Sequence, residues 1–152
     1  MILILALSIG VVAGLRAMIA PAAISWAVHS RLVGLDGSWL AFLGWRYTPW
    51  VFTALALAEL VTDQLPATPS RKVPVQFATR LIMGGLSGAA IGAGGGMLFA
   101  GLAAGIAGAV IGTYGGATAR SALARVFGAD RPAALIEDAV AVGGAALIAV
   151  PL

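Results

Sequence analysis

Between Arg80 and Arg120 the chain runs for 39 residues, Leu81 to Ala119, without a formal charge. As one helix this stretch would be about 58 Å long at 1.5 Å per residue, roughly twice the hydrocarbon thickness of a bilayer. It must therefore double back. Gly94-Gly95-Gly96 is the natural bend, because three successive glycines lose the most entropy on staying helical and enter turn conformations most freely. The first expectation is a glycine-rich hairpin of two membrane helices.

The rest of the chain fits that setting. Of 152 residues, 61% are hydrophobic and 10% charged, and the mean hydropathy is +1.01, more apolar side chain than a soluble domain of this size can cover. A single membrane domain over residues 1–152 is expected. The nine Lys and Arg residues lie scattered or at the ends of apolar runs, so the basic pI of about 10.2 points to membrane flanks and not to nucleic acid. With no cysteine, neither a disulfide framework nor a thiolate metal site is available. His29 has no second histidine to form a metal site with and is read as a surface residue. No cofactor is implied.

Five apolar segments follow in order. Segment A, about Ile2 to Val28, is interrupted by Arg16 and by Pro21, which should free carbonyls near Leu15 to Met18. No positive charge precedes its apolar run, so it is read as a retained first helix and not as a cleaved signal. The connection to segment B, with its flanks, holds all four tryptophans, Trp26, Trp39, Trp45 and Trp50, and is expected at the membrane surface, with Trp39 to Leu43 dipping into the interface. Segment B, about Pro49 to Leu65, carries Glu59 and Asp63; a proline-punctuated loop from Gln64 to Lys72 ends it. Segment C runs from about Val75 to Ala93 and segment D from about Met97 to Phe127. Segment E, about Pro132 to Val150, should place Pro132 at its first helical position. No strand alternation appears, so the fold class is all-α, a polytopic membrane protein of about five spans.

Five spans would place the N-terminus with the B–C and D–E loops, opposite the A–B connection and the C–D bend. Arg71, Lys72, Arg80, Arg125 and Arg131 then lie on the first side, with Arg31 and Arg46 on the second. The positive-inside rule puts the N-terminus in the cytoplasm and the C-terminus outside. Segments A and D share Ile9-Gly-Val-Val-Ala-Gly14 and Ala107-Gly-Ala-Val-Ile-Gly112, while B and E share Ala-Leu-Ala-Glu59 and Ala-Leu-Ile-Glu137. This suggests an inverted repeat of residues 1–66 and 97–152 joined by a helix over 75–93, an arrangement recurrent in transporters.

Glycines at intervals of four, namely Gly84, Gly88, Gly92 and Gly96, then Gly101 and Gly105, then Gly108, Gly112 and Gly116, mark faces for close helix approach within the chain or in a homo-oligomer or partner subunit. Glu59 and Asp63 share one helix face, where two ionised carboxylates repel unless Arg16, Arg80 or a transported ion lies near. Glu137 and Asp138 point about 100° apart, so at most one joins that site, and one could cap the start of segment E. Arg16, Glu59, Asp63, Arg80, Arg120, Glu137 and Asp138 are the candidate residues for passage of a small ion or solute. The alternatives are an anionic-lipid or prenyl-phosphate site at Ser70, Arg71, Lys72 and Arg80, serving binding, flipping or, least favoured, hydrolysis, and a non-catalytic subunit of a membrane complex. Ser70 has no histidine or carboxylate beside it in sequence, so an enzyme is not expected.

Three blocks, Gly14-Leu-Arg-Ala-Met-Ile-Ala-Pro21, Ala58-Glu-Leu-Val-Thr-Asp-Gln-Leu-Pro-Ala-Thr-Pro-Ser-Arg71 and Leu135-Ile-Glu-Asp-Ala-Val-Ala-Val-Gly143, resemble the bacterial domain of unknown function 4126 family. The resemblance implies a multi-helix membrane protein and supplies no substrate. In that family the position of Gln64 often looks like a lysine, so a balance for Asp63 must be found elsewhere in this chain.

Overall fold

The computed structural model describes residues 1–64 and 73–152. Among the described residues six α-helices and a short 3₁₀ helix form: α1 (Ile2–Leu15), α2 (Ile19–His29), the 3₁₀ helix Trp39–Gly44, α3 (Thr48–Thr62), α4 (Pro74–Gly94), α5 (Leu98–Phe127) and α6 (Asp130–Ala149). There is no strand among the described residues. Two helices, α5 and α6, are long and apolar enough to cross a membrane; α1, α2 and α3 are apolar but shorter. Residues 65–72, with the headgroup candidates Ser70, Arg71 and Lys72, lie outside the described residues.

The hairpin forms as its glycines require. Met97 N–H reaches the Gly92 carbonyl at 2.7 Å and Gly96 N–H the Ala93 carbonyl at 3.0 Å, closing α4 with Gly96 in the left-handed region at φ 73°. Behind the bend, α4 and α5 run antiparallel with their backbones nearly touching. A Cβ on Gly92 would lie 2.6 Å from the Met97 carbonyl oxygen, and one on Gly84 would lie 2.9 Å from that of Gly105. The opposite edge of α5 receives α1, where Gly10 meets Gly105, Gly108 meets Leu7, and Gly112 meets Val11. The glycine faces of α4 and α5 are thus filled by helices of the same chain.

Segment A departs from expectation. The chain leaves helical geometry at Arg16 (φ −141°, ψ 112°), and α2 does not continue the direction of α1. Ile2 lies against Gly95, and Val33 lies against Gly94. Both ends of the α1–α2 unit therefore sit at the α4–α5 bend, and Arg16 is the apex of a pair that enters the bundle and returns. Pro21 falls in the first turn of α2, where its missing N–H has no helical partner to lose, so it starts a helix and does not kink one.

This corrects the expected arrangement of ends. The N-terminus shares an end with the α4–α5 bend and not with the α5–α6 turn. Since Gly144 faces Val12 and Asp138 meets Arg16, α6 runs antiparallel to α1 and brings the C-terminus to the bend end as well. An inverted pairing would set α1 and α5 antiparallel; they run parallel, Leu7 beside Gly108 and Val11 beside Gly112. Two further corrections are smaller. Helix α6 begins at Asp130, two residues before Pro132, and Asp130 is the acid in its first turn. Helix α3 packs on α2 and the 3₁₀ helix, with little contact to the hairpin.

The interior is built from small side chains and the exterior from large apolar ones. Ala6, Ala13, Ala20, Ala90, Ala109 and Ala141 are buried, while Phe99 is 81% and Leu147 78% exposed. The largest fully buried side chains are Arg16 and Arg80. The 3₁₀ helix turns Leu40 and Leu43 onto the protein and leaves Trp39, Phe42 and Trp45 outward, so only part of the segment expected at an interface is free to meet one.

Candidate functional site

Ending α1 inside the bundle strands backbone groups on both sides of the break, and a buried polar group without a partner costs free energy comparable to a lost hydrogen bond. Each is met by a charged side chain from another helix. Arg80 of α4 donates from Nη1 to the carbonyls of Gly14 (2.8 Å) and Leu15 (2.6 Å). Glu59 of α3 accepts the Ala17 N–H on Oε1 and the Met18 N–H on Oε2, both at 2.8 Å. The cation thus sits at the negative end of α1 and the anion at the positive start of α2, the signs that the helix dipoles favour. Arg80 Nη2 also lies 3.8 Å from Glu59 Oε1.

Arg16, at the apex, is fully buried. Its Nη1 pairs with Asp63 of α3; its Nε donates to Asp138 Oδ1 at 2.6 Å, and its Nη2 lies 2.5 Å from the same oxygen. Gln64 closes the group by donating to Asp138 Oδ2 at 3.2 Å. Five helices therefore meet at the break: the ends of α1 and α2, with α3, α4 and α6 supplying side chains. Thr113 of α5 lies beside them, its hydroxyl donating to Ala109 O at 2.8 Å and standing 3.4 Å from Gly14 O.

Of the seven residues read from the sequence, Arg16, Glu59, Asp63, Arg80 and Asp138 come together here. Arg120 and Glu137 form a second group nearer the α5–α6 turn, where Arg120 is held by Asp130 (2.9 Å from Nε and 2.5 Å from Nη2) and stands 3.5 Å from Glu137. The neighbours Glu137 and Asp138 thus divide between the two groups, as their angular separation requires. Neither caps α6, since both lie two turns inside it. Glu59 and Asp63 avoid mutual repulsion by addressing different partners, backbone amides for one and Arg16 for the other.

Arg80, also read as a headgroup ligand with Ser70, Arg71 and Lys72, is 2% exposed and turned into the break. That removes it from a surface lipid site. His29 is exposed and lies 3.1 Å from the Gly44 carbonyl through Nδ1, closing the 3₁₀ helix onto α2. Among the described residues no three His, Cys, Asp or Glu side chains are placed to hold a metal.

Sequence reading missed Gln64, Asp130 and the four backbone groups at the break as members of the site. The backbone groups were foreshadowed by Arg16 and Pro21, which predict freed carbonyls without saying what meets them. No protein-family model matches the chain, and comparison with curated proteins and with solved structures returns no match.

Proposed function

We propose that this is a multi-pass membrane protein that moves a small ion or solute, coupled to protons, through the break between α1 and α2. One observation carries the reading: two interrupted helices end against ionised side chains inside a bundle whose exterior is apolar. Interrupted helices at membrane depth are tolerated where protein or a polar cavity meets the freed backbone, and such breaks mark ion and substrate sites in transporters. Ionised groups in that position are costly and signify function before stability.

Glu59 holds the start of α2 with both oxygens, accepting two backbone N–H groups at the break. We assign the coupling to Glu59 because it bridges α3 to the start of α2.

We take the end with Arg120, Arg125 and Arg131 as cytoplasmic and both termini as external, a topology that the positive-inside rule supports. We place the protein in a bacterial inner membrane on that pattern and on the family resemblance. Association with a second copy or a partner subunit would use outer faces such as those bearing Gly115 and Gly143, because the glycine faces of the hairpin are filled from within.

The test is proton flux into proteoliposomes under an imposed potential, followed with an internal pH dye. Glu59→Gln is expected to abolish the flux while the protein remains folded by size-exclusion and circular dichroism. Unchanged flux in that variant rules the assignment out.

A further inference from the structure

The floor of α2 and the walls of α3 and α6 enclose a groove of about 440 Å³. Ala23 and Trp26 form its floor, Leu57 and Leu60 one wall, and Val142 and Ala146 the other. Its lining is apolar almost throughout. The polar atoms of two lining residues are already engaged, Trp26 Nε1 donating to Thr53 Oγ1 at 3.0 Å and that hydroxyl donating to Pro49 O at 2.7 Å. A guest lying along it would therefore contribute hydrocarbon.

One end of the groove has a different character. Leu60 is one turn before Asp63, at the end of α3, and Val142 is one turn after Asp138 on α6, so the two carboxylates that hold Arg16 stand one turn beyond the groove's lining. What these carboxylates present is negative. Their side chains are 18% and 14% exposed, whereas Arg16 is fully buried behind them. Among the described residues one guanidinium, that of Arg16, serves both acids, a formal surplus of one negative charge. The third neighbour, Gln64, is neutral and is attached to Asp138 by one 3.2 Å hydrogen bond. An anionic headgroup at this end would meet exposed carboxylate oxygens, while a cation would complete their coordination.

We propose that the groove and its carboxylate end bind an amphipathic cation, its apolar body lying between α3 and α6 and its ammonium-type head at Asp63 and Asp138. The inference rests on the transport reading above and names the class of solute for that site. The head displaces Gln64 from Asp138 Oδ2, and the body enters sideways from the hydrocarbon, between two walls that Arg16 and Gln64 link at the carboxylate end.

The experiment titrates the full chain in lipid nanodiscs with octyltrimethylammonium and, separately, with octanesulfonate, which has the same tail and the opposite charge. Trp26 emission is followed in a chain whose other three tryptophans are phenylalanine. Saturable binding of the cation is expected, at least about ten-fold tighter than the anion. It should weaken by about ten-fold or more in Asp138→Asn, which removes a carboxylate that pairs with the head, and in Ala146→Trp, which fills the groove. Equal affinity for the two ions, or unchanged cation binding in Ala146→Trp, overturns the proposal; should Asp138→Asn fail to fold, the ion pair of ligands and Ala146→Trp decide. Loss of selective binding with Glu59-dependent proton flux intact refutes this inference alone. Selective binding without any flux refutes the transport reading alone.

Discussion

The guanidinium of Arg80 donates a 2.6 Å hydrogen bond to the carbonyl of Leu15, 65 positions earlier in the chain, where α1 stops inside the bundle. That bond and its partner to Gly14 replace the helical bonds that a continued α1 would have made. Arg80→Met is expected to destabilise the protein by about 3 kcal/mol or more, because two buried carbonyls and the Glu59 carboxylate all lose a partner. Thermal unfolding in mild detergent measures it. Arg80→Lys, a point charge able to reach one carbonyl, should recover part of the loss.

Glycines in the hairpin and on the outer surface should respond oppositely to one added methyl. Gly105→Ala drives a Cβ into the backbone of Gly84 and should cost about 2 kcal/mol or more. Gly115 and Gly143 lie inside helices with nothing within 4 Å of the added atom. Alanine there should raise stability by about 0.5–1 kcal/mol through helix propensity. Equal effects at the buried and open positions would contradict the packing described.

Arg31 occupies the left-handed region, φ 60°, at the end of α2, where Leu32 N–H reaches Ala27 O at 2.9 Å and Arg31 N–H reaches Val28 O at 3.0 Å. This closure favours glycine at the left-handed position. Arg31→Gly is expected to gain about 1 kcal/mol, read as a higher unfolding temperature.

Gln64→Lys would place an ammonium beside Asp138 and offset the second carboxylate served by Arg16. Stability should rise by about 1 kcal/mol or less, the range for a partly exposed pair. The gain should disappear when Asp138 is asparagine, which a double-mutant cycle detects.

The absence of cysteine makes the path of the chain directly testable. Single cysteines replacing Asp36 and Leu152 are expected to react with an impermeant maleimide from one side of the membrane, and one replacing Ala129 from the other. Labelling of positions 152 and 129 from the same side would refute the arrangement of ends.

Much of this was readable in the chain, for identifiable reasons. Charges are rare in so apolar a sequence, so Arg16, Glu59, Asp63, Arg80 and Asp138 stand out as residues that need partners, and a run of three glycines marks a bend by entropy alone. The direction taken after Arg16 was not readable, because a segment that passes through and one that turns back have the same hydropathy. Gly10 and Gly14 resembled a repeat of Gly108 and Gly112, whereas they are the surface onto which those glycines fit. Glu59 suggested a search for a cation, but its closest partners are two backbone amides that no composition can announce.

The contact between Arg16 and Asp138 joins the first tenth of the chain to the last helix, 122 positions apart. During synthesis the N-terminal helix pair emerges long before its counter-charge exists. Until α6 is made, Arg16 lacks one of its two acids and the apex remains incomplete. Formation of the last helix therefore completes the anchoring of the first two, and a ribosome stalled before residue 138 would leave the N-terminal pair without that contact.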